Sequence, residues 1–185
     1  MTVAPHTGQI VESGAPAPAE PAEPVEPIEP ARHFTWRSED DTAAFASRLA
    51  AQPQLANAFV TLHGDLGAGK TTLVRHLLRA LGVQGRIKSP TYAVVEPHDA
   101  PGLAPHPLVW HFDFYRFDDP REWEDAGFRD IFANPGLKLA EWPEKAAALT
   151  PPADLAIHIE AIDDTTRTIT VHAHTADGRQ MLQGL

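Results

Sequence analysis

The sequence predicts an α/β fold whose central sheet contains both parallel and antiparallel strands. Residues 58–62 form an apolar run of strand length, which a glycine-rich loop joins to an amphipathic helix. Residues 92–96 and 108–112 have strand patterns and are joined by a proline-rich loop, which indicates an antiparallel hairpin. Residues 155–161 and 168–173 alternate in polarity on either side of a polar turn, as two further strands would.

The N-terminal segment differs in composition from the rest of the chain. Residues 18–30 have the sequence PAEPAEPVEPIEP, a Pro-x-Glu repeat that can neither hold a helix nor bury a core. We predict that residues 1–31 form a disordered Pro/Ala/Glu-rich tail, which is either a plain spacer or a docking segment. Residues 32–185 then form a single domain, because the chain is long enough for one sizeable core and short for two.

The domain is expected to begin with a strand and a capped helix. Residues 33–36 have a strand pattern. Ser38 follows as the predicted N-cap of a helix, with Asp41 positioned for a capping box. The apolar side of this helix carries Phe45, Ala46 and Leu49.

The helix after the glycine-rich loop has one apolar face. Residues at helical spacing form this face, and Gly82 follows them as the expected terminator. They are Leu73, Val74, Leu77, Leu78 and Leu81. Farther along, residues 137–140 form another apolar run and are a candidate buried strand.

Composition and charge exclude several classes of function. The chain contains no cysteine, which excludes disulfides, thiolate metal sites and cysteine nucleophiles. No segment is apolar enough to span a membrane, so we expect a cytoplasmic protein. The net charge is -10, and five glutamates in the first 31 residues account for half of it, leaving -5 for the domain. An acidic domain is a poor binder of DNA or RNA on its own.

Residues 64–71, GDLGAGKT, match the phosphate-binding motif G-x-x-x-x-G-K-[ST] at every fixed position. Gly64, Gly67 and Gly69 allow the backbone N–H groups to face inward, where they can surround phosphates. Lys70 is expected to reach the β- and γ-phosphates, and Thr71 to offer its hydroxyl to Mg²⁺. Because the loop lies between a strand and a helix, we predict a three-layer P-loop NTPase-like fold.

A P-loop also needs a carboxylate at the end of a neighbouring strand to hold Mg²⁺, usually through water. Asp113 follows the apolar run 108–112 and is our candidate. Glu96 is the weaker competitor. His63 and His111 flank the predicted site but lack metal-ligand spacing, so we expect them to pack or to hydrogen-bond locally.

Motifs beyond the loop connect the chain to a known family. They are KSPTY at 88–92, VEP at 95–97, HFDFYR at 111–116, DIFAN at 130–134 and EWPEKA at 141–146. Together with GDLGAGKTT at 64–72, they resemble the bacterial tRNA threonylcarbamoyladenosine biosynthesis proteins of the TsaE family, also called YjeE. The resemblance covers roughly residues 33–165, and the combination of SPTY, HxDxYR and EWPE is far more specific than the P-loop alone.

The resemblance implies roles for individual residues. The implied nucleotide-binding residues are Gly64, Asp65, Leu66, Gly67, Ala68, Gly69, Lys70, Thr71, Thr72 and Trp142. Thr71, Asp113 and Glu141 form the implied magnesium site, with Asp113 as the Walker B carboxylate, and Lys70, Asp113 and Glu141 are the implied catalytic residues. Glu141 follows an apolar run, as a carboxylate at a strand end should, and Trp142 offers a planar face for a base.

Other implied positions are less firmly anchored. Glu39, Thr42 and Arg167 are only loosely matched to groups that surround the nucleotide in the family. Ser89 and Thr91 resemble the family's switch segment, whose polar side chains could sense the γ-phosphate, although a turn before a strand would have the same pattern.

The family's function gives the expected activity. The resemblance implies an ATP-binding, Mg²⁺-dependent ATPase that acts with TsaB and TsaD in the threonylcarbamoyladenosine modification of tRNA next to the anticodon. Its ATPase activity would reset that complex, and the protein would reach tRNA only through its partners, with no contact to DNA or a membrane. No arginine finger or base for the attacking water is evident, so we expect slow hydrolysis that a partner stimulates.

Three other functions share parts of this pattern. A small-molecule P-loop kinase has the same motif and size, but Arg116, Arg121 and Arg129 are spread among acidic residues and form no clear lid. A GTP-binding switch would need an N-K-x-D motif, which is absent from the chain. A nucleotide-sensing interaction module would bind ATP without cleaving it.

Overall fold

The computed structural model describes residues 30–119, 121, 123 and 127–185. The predicted tail lies outside these residues, apart from Pro30 and Ala31, so its disorder stays a prediction. In the described part of the chain, no helix has the length and apolar character needed to cross a membrane.

The described residues contain a seven-stranded sheet in the order β1-β7-β6-β2-β5-β4-β3. Its strands are β1 (Arg32–Trp36), β2 (Phe59–His63), β3 (Val95–Asp99), β4 (Leu108–Asp113), β5 (Leu137–Glu141), β6 (Leu155–Ala161) and β7 (Arg167–Ala173). β2 pairs in parallel with β5 and β6, and β4 pairs in parallel with β5. The pairs β1 with β7, β6 with β7 and β3 with β4 are antiparallel, so the predicted mixed sheet is confirmed.

Helical segments cover both faces of the sheet. They are α1 (Glu39–Ala50), α2 (Lys70–Ala80), α3 (Phe128–Ala133), α4 (Ala176–Gln183) and two 3₁₀ turns, Pro53–Asn57 and Pro143–Ala146. The apolar sides of α1, α2 and α4 share one buried cluster with aliphatic side chains from the sheet. A second, aromatic cluster on the other face joins α3 to the far side of β2, β4 and β5. These two clusters produce the three layers that the sequence predicted.

Strand alternation divides the side chains between the two clusters. On β2, Val60 and Leu62 enter the aliphatic cluster and Phe59 enters the aromatic one. On β4, Val109 belongs to the aliphatic cluster and Phe112 to the aromatic one. Because successive side chains of a strand point to opposite faces, the last residues of these strands are also assigned to a face.

Several predicted elements are confirmed with small differences. β6 has the predicted bounds, and β2 begins and ends one residue later than predicted. The Ser38 hydroxyl accepts a hydrogen bond from the Asp41 backbone N–H at 3.3 Å, as an N-cap does. In a capping box, the Asp41 carboxylate would accept from the backbone N–H of the N-cap residue, Ser38. Here it accepts from the backbone N–H of the residue before it, Arg37, at 2.7 Å.

The predicted strand at residues 92–96 was wrong in its bounds. The strand β3 begins only at Val95 and continues through Pro97. Residues before it turn back on themselves, with Val94 at φ 64° and its N–H donating to the Pro90 carbonyl at 2.7 Å. Pro97 is tolerated because β3 is an edge strand, where a missing N–H breaks no ladder bond on the open side.

Histidines line part of the sheet near β2. The rings of His63 on β2 and His158 on β6 stack with centroids 4.3 Å apart, and His172 on β7 meets His158 edge-on at 5.4 Å. Burial, followed by the charges of His158 and other nearby groups, lowers the pKa of His63 to about 4. The Glu144 carboxylate lies 3.9 Å from His63 Nδ1 and is itself half exposed. His63 is therefore neutral at pH 7.

We expect His63 to make stability fall on acidification. An imidazole in the unfolded chain has a pKa near 6.5, so below that pH the unfolded state binds a proton that the folded state does not. The contribution is fully present above pH 6.5 and is lost as the pH falls towards 4, by about 3 kcal/mol.

Urea unfolding of the wild type and of His63→Asn across this pH range measures the effect. The free energy of unfolding of the wild type should fall more steeply than that of the variant. Parallel curves would contradict the prediction.

Candidate functional site

The sheet topology brings three strand ends to one edge. β2, β5 and β4 are adjacent and parallel, so their carboxyl ends lie side by side. β2 leads into the glycine-rich loop, β4 ends at Asp113 and β5 ends at Glu141. Asp113 and Glu141 are direct register partners. The two predicted carboxylates therefore lie next to each other at the edge where ligands bind in open α/β sheets.

The same edge also holds the three residues that the family resemblance implied only loosely, which are Glu39, Thr42 and Arg167. β7 is antiparallel to both β6 and β1, so the beginning of β7 and the end of β1 lie at this edge. Arg167 is the first residue of β7, and its Nε donates to the Ala68 carbonyl of the loop at 2.9 Å. Glu39 and Thr42 lie in the first turns of α1, just after β1.

The loop between β2 and α2 has the backbone of a phosphate cradle. Gly64, Gly67 and Gly69 adopt φ values of 133°, 82° and 116°, which L-residues with side chains rarely adopt. Gly69 precedes α2 without a side-chain cap, so the first N–H groups of the helix are free of a capping partner and face the loop. A helix N-terminus of this kind binds anions through its N–H groups and its dipole.

Gly64 is also required by close packing. A Cβ atom at this position would lie 2.2 Å from the Ile159 carbonyl oxygen on β6. By contrast, a Cβ atom at Gly67 would meet nothing within 4 Å. The first glycine of the loop therefore lets it pass against the neighbouring strand.

Lys70 is buried inside the loop. Its ammonium donates to the carbonyls of Gly64 and Asp65, at 2.5 and 2.8 Å, and lies 3.9 Å from the centre of the Trp142 ring. Burial lowers the pKa of Lys70, and the nearby carboxylates, first among them Glu141, act in the opposite direction. A cation in this position faces the same loop whose N–H groups would hold phosphate.

Glu141 connects the loop helix to the sheet. The Thr71 hydroxyl donates to the Glu141 carboxylate, with distances of 2.9 and 2.8 Å to its two oxygens. The imidazole Nε2 of His111 lies 2.9 Å from Oε1 of the same carboxylate. Glu141 is 2% exposed and His111 is fully buried, so this carboxylate is held from two sides away from bulk water.

Asp113 is held by donors from the segment before β3. The hydroxyls of Ser89 and Thr91 both donate to Oδ2 of Asp113, the latter at 2.8 Å, and the backbone N–H of Tyr115 donates to Oδ1 at 3.0 Å. Ser89 and Thr91 belong to the segment that resembles a switch. A rearrangement of this segment would change the donors around the Asp113 carboxylate.

The donor set at the sheet edge suits Mg²⁺. Thr71, Asp113 and Glu141 offer a hydroxyl and two carboxylates, the oxygen ligands that this ion prefers. In residues 30–119, 121, 123 and 127–185, no group of three or more His, Cys, Asp or Glu side chains is placed to hold a metal by itself. These three residues therefore fit a cation that keeps waters and takes phosphate oxygens as further ligands.

Two cavities flank the loop. One, of about 320 Å³, is lined by Lys70, Thr71, Asp113, Glu141 and Trp142, among others. The other, of about 380 Å³, lies beside the same loop and brings Glu39, Thr42 and Arg167 together. Gly67, Gly69 and Thr72 line both cavities. An elongated ligand that follows the loop would pass from one cavity into the other.

A larger cavity of about 580 Å³ lies elsewhere in the described structure, and Phe132 of the DIFAN motif is the one residue of the family motifs among those that line it. Arg121 and Arg129 line this cavity, and neither lines the two beside the loop. Size alone is therefore a poor guide to the site in this molecule. The chemistry is concentrated around the loop.

The sequence did not assign two of the contacts at this site. His111 was expected to pack or hydrogen-bond locally, and its partner is Glu141. The sequence could have indicated this contact: His111 and Asp113 are two residues apart on β4, so their side chains lie on the same face of the sheet. Tyr115 was not predicted, and it lines the same cavity with its ring 5.0 Å from that of Trp142.

Comparison with known proteins identifies a family for the chain. Residues 36–169 match the family model of "Threonylcarbamoyl adenosine biosynthesis protein TsaE". The tRNA threonylcarbamoyladenosine biosynthesis protein TsaE of Haemophilus influenzae is 44% identical over 66% of this chain and 75% of its own length. The protein of the same name from Bacillus subtilis is 33% identical over 77% of this chain and 87% of its own length.

A solved structure shares the fold. The crystal structure of Bacillus YdiB superimposes with a TM-score of 0.61 at 24% identity, over 84% of this chain and 95% of that one. At this level of identity the likeness concerns the fold alone.

We expect Gly64→Ala to destabilise the protein much more than Gly67→Ala. Both variants place a side chain at positive φ, but only the first drives a Cβ atom into the Ile159 carbonyl. The free energy of unfolding in urea should fall by at least about 2 kcal/mol more for Gly64→Ala than for Gly67→Ala. Equal losses of unfolding free energy would contradict the prediction, because they would show that β6 moves away from the added Cβ atom without loss of stability.

Proposed function

The chain belongs to the family of tRNA threonylcarbamoyladenosine biosynthesis proteins TsaE, and from this premise we propose that it is a Mg²⁺-dependent ATPase of that pathway. The observation that carries the proposal is the convergence of Thr71, Asp113 and Glu141 beside the N-terminus of α2. A loop with this backbone binds phosphates, and the adjoining oxygen donors suit the cation that accompanies ATP.

The reaction that we propose is hydrolysis of the bond between the β- and γ-phosphates. The oxygen of water bonds to the γ-phosphorus and loses a proton to solvent, the bond to the bridging oxygen breaks, and ADP leaves with that electron pair. Mg²⁺ held near Thr71, Asp113 and Glu141 would supply a positive charge against the phosphate oxygens. The ammonium of Lys70 and the loop N–H groups stabilise the negative charge that develops on the same oxygens.

The second cavity is where we propose that the nucleoside lies. With the phosphates at the loop, the remainder of ATP can extend past Gly67 and Gly69 towards Glu39, Thr42 and Arg167. Glu39 is oriented by His76, whose Nε2 lies 2.9 Å from the Glu39 carboxylate. These contacts support an interaction with the ribose or base at this side of the loop.

The proposed role requires partner proteins. None of the described residues that line the Asp113 cavity is an arginine, so this part of the chain places no arginine finger beside the proposed γ-phosphate position. We propose that TsaB and TsaD are the partners and that they stimulate hydrolysis, which resets their complex. The domain carries a net negative charge, so tRNA is reached through the complex.

The domain that performs this activity would be residues 32–185. Its seven described strands form one sheet. In this sheet, β1, the first strand of the domain, pairs with β7, the last one. The relatives are bacterial proteins of tRNA modification, so the compartment that we propose is the cytoplasm.

Two variants separate nucleotide binding from turnover. Lys70→Ala should abolish binding of a fluorescent ATP analogue, because it removes the cation inside the loop. Asp113→Ala should retain binding within about threefold and lose about 100-fold in the rate of phosphate release, since it removes a group that stabilises the transition state.

Glu96→Ala is the matched control for Asp113→Ala. Glu96 lies on the adjacent strand β3, in register with His111, but does not line the cavity. Its turnover should equal that of the wild type. Wild-type turnover in Asp113→Ala would remove Asp113 from the site and favour a protein that only senses nucleotide.

The rate of ATP cleavage should depend on the partners. We expect the purified chain to hydrolyse ATP slowly and expect TsaB, TsaD and substrate tRNA together to raise the rate by at least about tenfold. Phosphate release measured with each component left out in turn identifies the stimulating one. Rapid hydrolysis by the isolated chain would contradict the proposal.

A further inference from the structure

His111 is a buried polar residue whose position is unusual for a core. It lies in the middle of β4, is fully buried, and shares its face of the sheet with Asp113. Its register partner on β5 is the apolar Leu139. Within the described residues, its side chain makes one hydrogen bond, the 2.9 Å contact from Nε2 to Glu141.

The bonding around Glu141 determines which nitrogen of His111 carries the proton. An ionised carboxylate only accepts hydrogen bonds, so Nε2 is the donor and the N–H lies on that side of the ring. The other nitrogen, Nδ1, is buried and has no hydrogen-bond partner in the described structure. The ring therefore makes one bond and leaves the other nitrogen unpaired inside the protein.

An apolar side chain would be more favourable than histidine at this buried position. A buried polar atom without a partner is unfavourable, and the side chains of Val109 and Leu139 beside it are aliphatic, although Glu96 is its register partner on β3. The histidine is thus poorly explained as a packing residue. What it supplies is an N–H that reaches Glu141 Oε1 from β4, in addition to the Thr71 hydroxyl that donates from α2.

We propose that His111 is a positioning residue for the cation site: its Nε2–H fixes the Glu141 carboxylate in the orientation in which this group and Thr71 receive Mg²⁺. The inference rests on the proposed function, since it assumes that Mg²⁺ binds with the nucleotide. A carboxylate held from one side keeps the lone pairs of its other oxygen directed at the cation. Partners of metal ligands commonly act in this way, and their loss weakens metal binding.

Metal binding tests the proposal directly. The full chain is saturated with a non-hydrolysable ATP analogue and titrated with Mn²⁺ as a probe for Mg²⁺, and free Mn²⁺ is measured by electron paramagnetic resonance. His111→Leu, which has no donor, should weaken Mn²⁺ binding by about tenfold or more. His111→Gln should stay within about threefold of the wild type, because its amide N–H lies near the place of Nε2.

Two further variants make the test specific. His111→Asn places its amide near Nδ1, too far from Glu141, and should behave like His111→Leu, so the Gln and Asn pair carries the test if the Leu variant fails to fold. His98→Leu is the matched control: His98 is also buried with an unpaired nitrogen, its ring is 6.2 Å from that of His111, and it does not bond to Glu141. Mn²⁺ binding by this control should be unchanged.

Thermal unfolding without nucleotide separates positioning from folding. His111→Leu removes a donor from the buried Glu141 carboxylate but also removes the unpaired Nδ1 from the core, so its melting temperature should stay within about 5 °C of the wild type although it binds the metal less well. Wild-type Mn²⁺ affinity in His111→Leu, or equal weakening in the Gln and Asn variants, would overturn the positioning role. If the wild type bound the analogue but no Mn²⁺, the magnesium site itself would be refuted, and this inference with it.

Discussion

The parallel pairing of β2, β5 and β4 is the constraint on which the site depends. It brings the loop after β2 to the same edge as Asp113 and Glu141. Because side chains alternate along a strand, a slip of one residue between β4 and β5 would turn one carboxylate to the opposite face. His111 would leave Glu141 by the same slip. Register, more than any single contact, thus determines whether these groups meet.

Burial of the charged groups explains why this edge is so densely hydrogen-bonded. Lys70, Asp113 and Glu141 are 5%, 3% and 2% exposed, and an unpaired charge at such depth is strongly unfavourable. Each charge therefore has partners: loop carbonyls for Lys70, three donors for Asp113, and Thr71 with His111 for Glu141. The same bonds fix the groups before any ligand arrives, which is the preorganisation that electrostatic catalysis needs.

The sequence predicted the helices and strands better than it predicted which of them lie side by side. The loop motif and the apolar runs identified β2, α2, β4, β5 and β6 because each carries a local signal. The start of β3 was missed because a turn at Val94, stabilised by a bond to Pro90, precedes the strand and has no strong local signature. The meeting of Glu39, Thr42 and Arg167 depends on the position of β1 beside β7, which the sequence alone did not reveal.

Trp142 illustrates how the local fold decides what a side chain can contact. The sequence suggested a planar face for a base, which stays a prediction, and in the fold the ring lies over the Lys70 ammonium in the cavity that Asp113 and Glu141 also line. Its backbone has φ 57° and ψ 47°, which a bulky residue adopts only when its surroundings enforce it. The ring face attracts the buried Lys70 ammonium without placing a further anion inside the loop, so this contact stabilises the cation where a carboxylate would also compete with phosphate.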